Sequence, residues 1–196
     1  MAQTALLVMD VQGGVVPRYP EDSERLLKVL NAATTAARSA GVTVIYVRVA
    51  FRQGSPEIIR RNRTFSAIGP AAMDEDDPAT QIHPALTPHR DDIVVTKKRV
   101  SAFTASDLEV LLRSLTVDSL VLTGIATSGV VLSTLRQASD LDYSLTVLSD
   151  GCADRDPEVH RVLLEKVFPR QADVLTVDAW VQQLGGNRPV PPLQDA

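Results

Sequence analysis

Residues 119–136, "SLVLTGIATSGVVLSTLR", decide how the rest of this chain is read. The stretch begins as an apolar, β-branched run ending at Gly124 and passes into a helical pattern from Ser128. A strand that turns directly into a helix is where many α/β enzymes keep a nucleophile. Outward from it, apolar strand candidates at 4–10, 42–49, 92–97, 119–124, 144–150 and 172–177 alternate with helical patterns. The helix candidates are 22–40, 106–115, 128–142, 157–168 and 178–184. Gly41 marks the end of the first helix and Asp156-Pro157 the start of the fourth. Continuous apolar strands separated by helices predict a mostly parallel sheet with helices on both faces, a three-layer α/β architecture.

With 196 residues, the chain is long enough for one domain that buries roughly 70% of its unfolded surface. The sequence is read as a single domain over 1–184 and a Pro-rich tail over 185–196, "GGNRPVPPLQDA". Residues 51–90, rich in Arg, Pro and Asp, interrupt the alternation and read as a lid, a binding loop or an oligomer contact. A net charge of −4 without a dense Lys/Arg block argues against nucleic acid or a membrane surface as partner. There is no 18-residue apolar run, and "MAQTALLVMD" leads straight into a strand without a basic leader. The expectation is therefore a cytoplasmic protein. Its one cysteine, Cys152, excludes an internal disulfide and a Cys-rich metal site.

In doubly wound sheets, ligands bind beyond the carboxyl ends of the strands. Asp10, Lys97, the turn from Gly124 to Ser128, and Asp150 all stand at such ends. Asp10 closes an apolar run, so desolvation can shift its pKa; the competing reading is a turn cap. Lys97 has a neighbour, Lys98, and strand alternation sends the two to opposite sides. One of them can face the site while the other is solvated.

Three motifs in order, "LLVMDVQ", "KKRVSAF" and "LVLTGIATSGVVLSTLR", resemble the isochorismatase-like superfamily over residues 4–177. That group holds isochorismatases and cysteine amidohydrolases such as nicotinamidases. The resemblance implies a Rossmann-like, six-stranded sheet, a cis peptide just before the nucleophile turn, and an Asp–Lys–Cys triad in the cysteine members. Carried over residue by residue, Asp10 matches the aspartate and Lys97 the lysine. Ala126-Thr127 matches the dipeptide with the cis bond, and Ala126, Thr127, Ser128 and Gly129 form a wall of the site. Ser101 of "SAF" is expected to support the lysine. The cysteine position falls on Val130.

Valine cannot form a thioester, and Val130 reads as part of the core edge. Ser128 reads as a helix N-cap and Thr127 as a hydrogen-bond partner of backbone or ligand. Cys152 lies on the correct rim, but a free cysteine is usually a small buried hydrophobe. Isochorismatases cleave a vinyl ether at the equivalent site without a cysteine, using the aspartate as acid/base. Asp10 and Lys97 suffice for such chemistry on a small-molecule substrate. Gln12, Arg48, Arg52 and Phe103 are the candidates to contact that substrate, and Arg60, Arg61 and Arg63 add positive charge to the 51–90 segment. A catalytically inactive member acting as a ligand-binding or oligomeric partner is the alternative, and a relocated thiol at Cys152 is the third reading. Some nicotinamidases carry a D-x-H-x-x-H metal cluster, but "PEIIRRNRTF" at 56–65 has no histidine, and His83, His89 and His160 are scattered. No metal and no cofactor are expected. The resemblance also implies a homo-oligomer, dimer or tetramer.

Overall fold

A computed structural model describes residues 3–19, 21, 23–67 and 73–185. The tail expected from 185 lies outside the described residues beyond Gly185. Six strands, β1 (Gln3–Met9), β2 (Thr43–Val49), β3 (Ile93–Lys97), β4 (Val117–Ile125), β5 (Ser144–Ala153) and β6 (Asp173–Leu175), form one sheet in the order β3-β2-β1-β4-β5-β6. Every pairing is parallel, not merely most of them. The helices are α1 (Ser23–Ser39), a short α2 (Arg63–Ser66), α3 (Leu108–Ser114), α4 (Leu132–Asp140), α5 (Pro157–Val162) and α6 (Val177–Gly185).

Side-chain alternation gives the sheet a core on each face, and a third, smaller cluster of Val49, Phe51, Phe65 and Met73 packs beside them. On β1, Ala5, Leu7 and Met9 face one side, where α3 contributes Leu108 and Leu112 and α4 contributes Leu135 and Ala138. Leu6 and Val8 face the other, against Leu26, Leu30 and Ala33 of α1 and Trp180 of α6. All five β1 residues are fully buried, and each large one contributes roughly 1.5–3 kcal/mol by leaving water. That two-sided burial is why the strand reads as a continuous apolar run instead of an alternating one.

Two expected helices are less regular than the sequence suggests. The pattern at 128–142 resolves into a π turn, Thr127–Val131, followed by α4. The pattern at 157–168 is α5, then a π turn at Leu163–Val167 and a 3-10 turn at Phe168–Arg170, where Pro169 removes a backbone donor. β5 continues to Ala153, beyond its expected end, because its register against β4 shifts between Leu122 and Gly124.

Residues 74–80 of the 51–90 segment are held at the carboxyl end of the sheet by buried polar contacts. The Gln12 side chain is fully buried; its amide donates to Val49 O (3.0 Å) and Thr80 O (2.7 Å) and accepts from Val49 N–H (3.0 Å). Thr80 Oγ1 donates to Asp74 O (2.8 Å) and Asp77 O (2.8 Å), closing the segment's own turns.

Candidate active site

The strand order reverses direction between β1 and β4, and in sheets of this kind such a switch point is where ligands generally bind. β1 ends at Met9, and Asp10 takes a left-handed conformation (φ +57°), which short Asp side chains tolerate. Its N–H donates to Val47 O (2.8 Å), so the backbone stays attached to β2 while the side chain leaves the strand path. Lys97 closes β3 on the face that also carries Val95. Its ammonium reaches Asp10 Oδ2 at 2.9 Å and donates to Arg99 O (2.9 Å).

This ion pair is almost out of water: the Lys97 side chain is 2% exposed and that of Asp10 12%. Asp10 Oδ1 is buried without a hydrogen-bond partner. Burial pushes the Asp10 carboxyl above its ordinary pKa; the ammonium of Lys97 opposes that rise without cancelling it. Lys98 is directed elsewhere, donating to Ala50 O (2.8 Å) and pairing with Glu75. The alternation expected of the two lysines holds, but Lys98 is bonded rather than solvated.

β4 supplies the facing wall. Gly124 pairs with Met9, and a Cβ there would lie 2.2 Å from Met9 O, so only glycine permits this approach (φ +140°). The cis bond lies between Ile125 and Ala126, one residue before the Ala126-Thr127 bond expected from the sequence. The next turn opens as a π turn, with Val131 N–H donating to Ala126 O (3.3 Å), and brings Val130 and Val131 into the core formed with α3 and α4. Val130 is 2% exposed. Ser128 does not cap the helix with its side chain; Ala126 holds the cap position, and Ser128 N–H donates to the Asp154 carboxylate (2.7 Å). Thr127, fully buried, shares a hydrogen bond with His160 Nδ1 (2.8 Å).

His160 is the residue that sequence reasoning missed. In sequence it is one of three scattered histidines, yet the fold seats it against this elbow. Its only sequence signal is a place in the helix opened by Asp156-Pro157, on the rim after β5.

The other expected contacts are occupied within the protein. Arg48 donates to Thr96 Oγ1 (3.0 Å), Glu75 O (3.0 Å) and Gln81 Oε1 (2.9 Å), while Arg52 pairs with Glu57 (2.6 Å). Arg60, Arg61 and Arg63 are exposed. Phe103 is buried, its ring 6.0 Å from that of Tyr143. Ser101 does not contact the lysine as expected; its hydroxyl donates to Gln137 Oε1 (2.7 Å) and accepts from Phe103 N–H (3.3 Å). Asp150 accepts from Val177 N–H (2.8 Å) and so fixes the start of α6. Cys152 is buried in the core, where desolvation pushes its thiol up to about 12. Among the described residues, no group of three or more His, Cys, Asp or Glu is placed to hold a metal ion.

Two surface cavities lie away from this pair. One, of about 520 Å³, opens at the amino ends of the strands beside Thr4, Ser119 and Ser144. The other, of about 620 Å³, lies between Arg52 and Asp74–Pro78. The first cavity is at the end of the sheet opposite to where such folds bind ligands, and the second is lined mainly by carboxylates.

A parallel sheet of this order, with an acid–lysine pair across the ends of β1 and β3 and a glycine elbow after β4, defines an isochorismatase-type α/β protein. Residues 4–179 match the isochorismatase domain, and the chain belongs to that family. It is 30% identical over 190 residues to the isochorismatase family protein YecD of Escherichia coli O157:H7, covering 92% of this chain and 96% of that one. It is 31% identical over 207 residues to the ureidoacrylate amidohydrolase RutB of Pseudomonas syringae pv. syringae, covering 93% and 81%. A solved isochorismatase family protein from Burkholderia thailandensis superimposes with a TM-score of 0.85 at 28% identity, covering 94% and 96%. No helix among the described residues is long and apolar enough to cross a membrane.

Proposed function

We propose that this protein hydrolyses a small molecule by acid/base chemistry at Asp10 and Lys97, without a covalent intermediate. The observation that carries the reading is the buried Asp10–Lys97 pair with its unpartnered carboxylate oxygen. A buried charge pair costs desolvation energy that well-packed apolar side chains would avoid, which favours a functional reason for keeping it. Asp10 takes a proton from the attacking water and returns it to the departing nitrogen or oxygen. Lys97 balances the carboxylate's charge during the exchange. Val130 stands where the resemblance places a nucleophile, so the step runs directly on water. The likeness to RutB makes ureidoacrylate and related N-carbamoyl compounds the first substrates to try.

A screen of amides, ureas and vinyl ethers, followed by ammonia release or loss of ultraviolet absorbance, tests this reading. Asp10→Asn should abolish any turnover found; an Asp10→Asn protein as active as wild type would end the proposal. The burial of Val130 also favours a second reading, in which the site binds a small ligand without turning it over. Saturable thermal stabilisation by a panel compound that is never consumed supports that alternative.

A further inference from the structure

The chain that follows β5 grips the elbow from the side opposite Asp10 and Lys97. β1 and β3 lie on one side of β4, whereas β5 and the segment after it lie on the other. From that segment, Asp154 takes the Ser128 N–H (2.7 Å) and His160 Nδ1 binds Thr127 Oγ1 (2.8 Å). These contacts fall on the first two residues of the π turn, immediately after the cis peptide. Both partners are themselves held, Asp154 by the Asp156 N–H, which donates to its Oδ1 (3.4 Å), and His160 through Asp156. Asp156 accepts from the Glu158 and Val159 N–H groups (2.9 and 3.1 Å), and His160 N–H donates to Asp156 O (3.0 Å). Arg155 stacks 5.6 Å above the Tyr19 ring, tying the same segment to the chain after β1.

Thr127 is fully buried beside Ile125 and Val131. A valine would fill the same volume without a hydroxyl to satisfy, and a buried hydroxyl costs energy unless it is bonded. The threonine is therefore explained by its bond to His160. We propose that His160, acting through Thr127, is a positioning residue: with Asp154 it holds the elbow wall at a fixed distance from Asp10 and Lys97. This rests on the hydrolytic reading above. A wall displaced by about 1 Å lowers turnover on the order of 100-fold while leaving much of the ground-state binding in place.

The test compares wild type with Thr127→Val, His160→Phe, Thr127→Ser and His160→Gln in the full chain. Three quantities are read: kcat and KM on whichever panel compound wild type consumes, the thermal midpoint, and the backbone amide NMR shifts of Ser128 and Gly129. Thr127→Val and His160→Phe should lose about tenfold to 100-fold in kcat with KM within about threefold. Thr127→Ser and His160→Gln should recover most of that loss, and the Ser128 and Gly129 amides should move in the two disruptive variants alone. A lower thermal midpoint with kcat within twofold of wild type overturns the proposal. If wild type consumes nothing in the panel, the hydrolytic reading fails by itself. The amide shifts then decide the brace separately: movement at Ser128 and Gly129 keeps it, and unchanged shifts overturn it. Should Thr127→Val and His160→Phe fail to fold, the smaller truncation His160→Ala is read in their place; a kcat lowered severalfold, with the elbow amides moved, supports the brace, and wild-type values in both overturn it.

Discussion

The Asp10–Lys97 pair gives a sharp stability test that needs no substrate. Asp10→Asn leaves an ammonium 2% exposed with the neutral amide and Arg99 O as its partners. Lys97→Met leaves a carboxylate that already has one unpartnered buried oxygen. Removing one partner of a buried pair costs about 3–5 kcal/mol. For a chain of this length, that corresponds to a fall in Tm of roughly 6–20 °C. The double variant removes both charges and leaves one buried amide to satisfy, at about 1–3 kcal/mol. The coupling energy should therefore be at least roughly 3 kcal/mol, at the top of the range for residues in contact. Urea unfolding followed by fluorescence suits the measurement, because Trp180 is the single tryptophan and is buried in the α1–α6 core. Single variants that each cost under about 1 kcal/mol and add within about 0.5 kcal/mol would refute the reasoning, since that is how an exposed ion pair behaves.

Because burial raises the Asp10 pKa in the folded chain, the folded state keeps a proton that the unfolded chain releases. The proton-linked part of this group's contribution to stability should be present below the ordinary carboxyl range and be lost as pH rises through the raised value, leaving the pairing with Lys97 as what remains. Subtracting the Asp10→Asn urea midpoint from that of wild type across pH 3–8 should show that decline; a difference that grows with pH contradicts it. Cys152, with its thiol pushed up to about 12, should resist iodoacetamide at pH 8 until urea unfolds the chain, and Cys152→Ser should leave turnover intact; rapid labelling of folded protein argues the reverse. Gly124→Ala drives a Cβ into Met9 O and should cost roughly 3 kcal/mol or more, read as a lower urea midpoint or loss of soluble protein.

The layers were legible because a sheet buried on both faces leaves uninterrupted apolar runs, and "TALLVMD" and "SLVLTG" match β1 and β4 closely. Asp10 and Lys97 were legible for a related reason: each is a charge that abruptly ends such a run. Local propensity does not encode π turns, so 128–142 and 157–168 read as plain helices. The Thr127–His160 contact joins residues 33 apart through the geometry of two crossovers, and no local spacing announces it. The arginines misled in the other direction: Arg48 and Arg52 look like free anchors in sequence, yet both are engaged by Glu75, Gln81 or Glu57.

The π turn at Thr127–Val131 also gives the chain one residue of slack. An α-turn would cover the same axial advance with one residue fewer. Deleting Gly129, whose added Cβ would meet nothing closer than Ala126 Cβ at 3.7 Å, could draw the turn into α geometry and leave α4 facing the sheet as before. An extra residue inside α4 would instead turn its later side chains by about 100° and pull Leu135 and Ala138 out of the core. Length changes in this region are therefore absorbed most easily in the turn after β4, which can vary in shape while the sheet behind it stays the same.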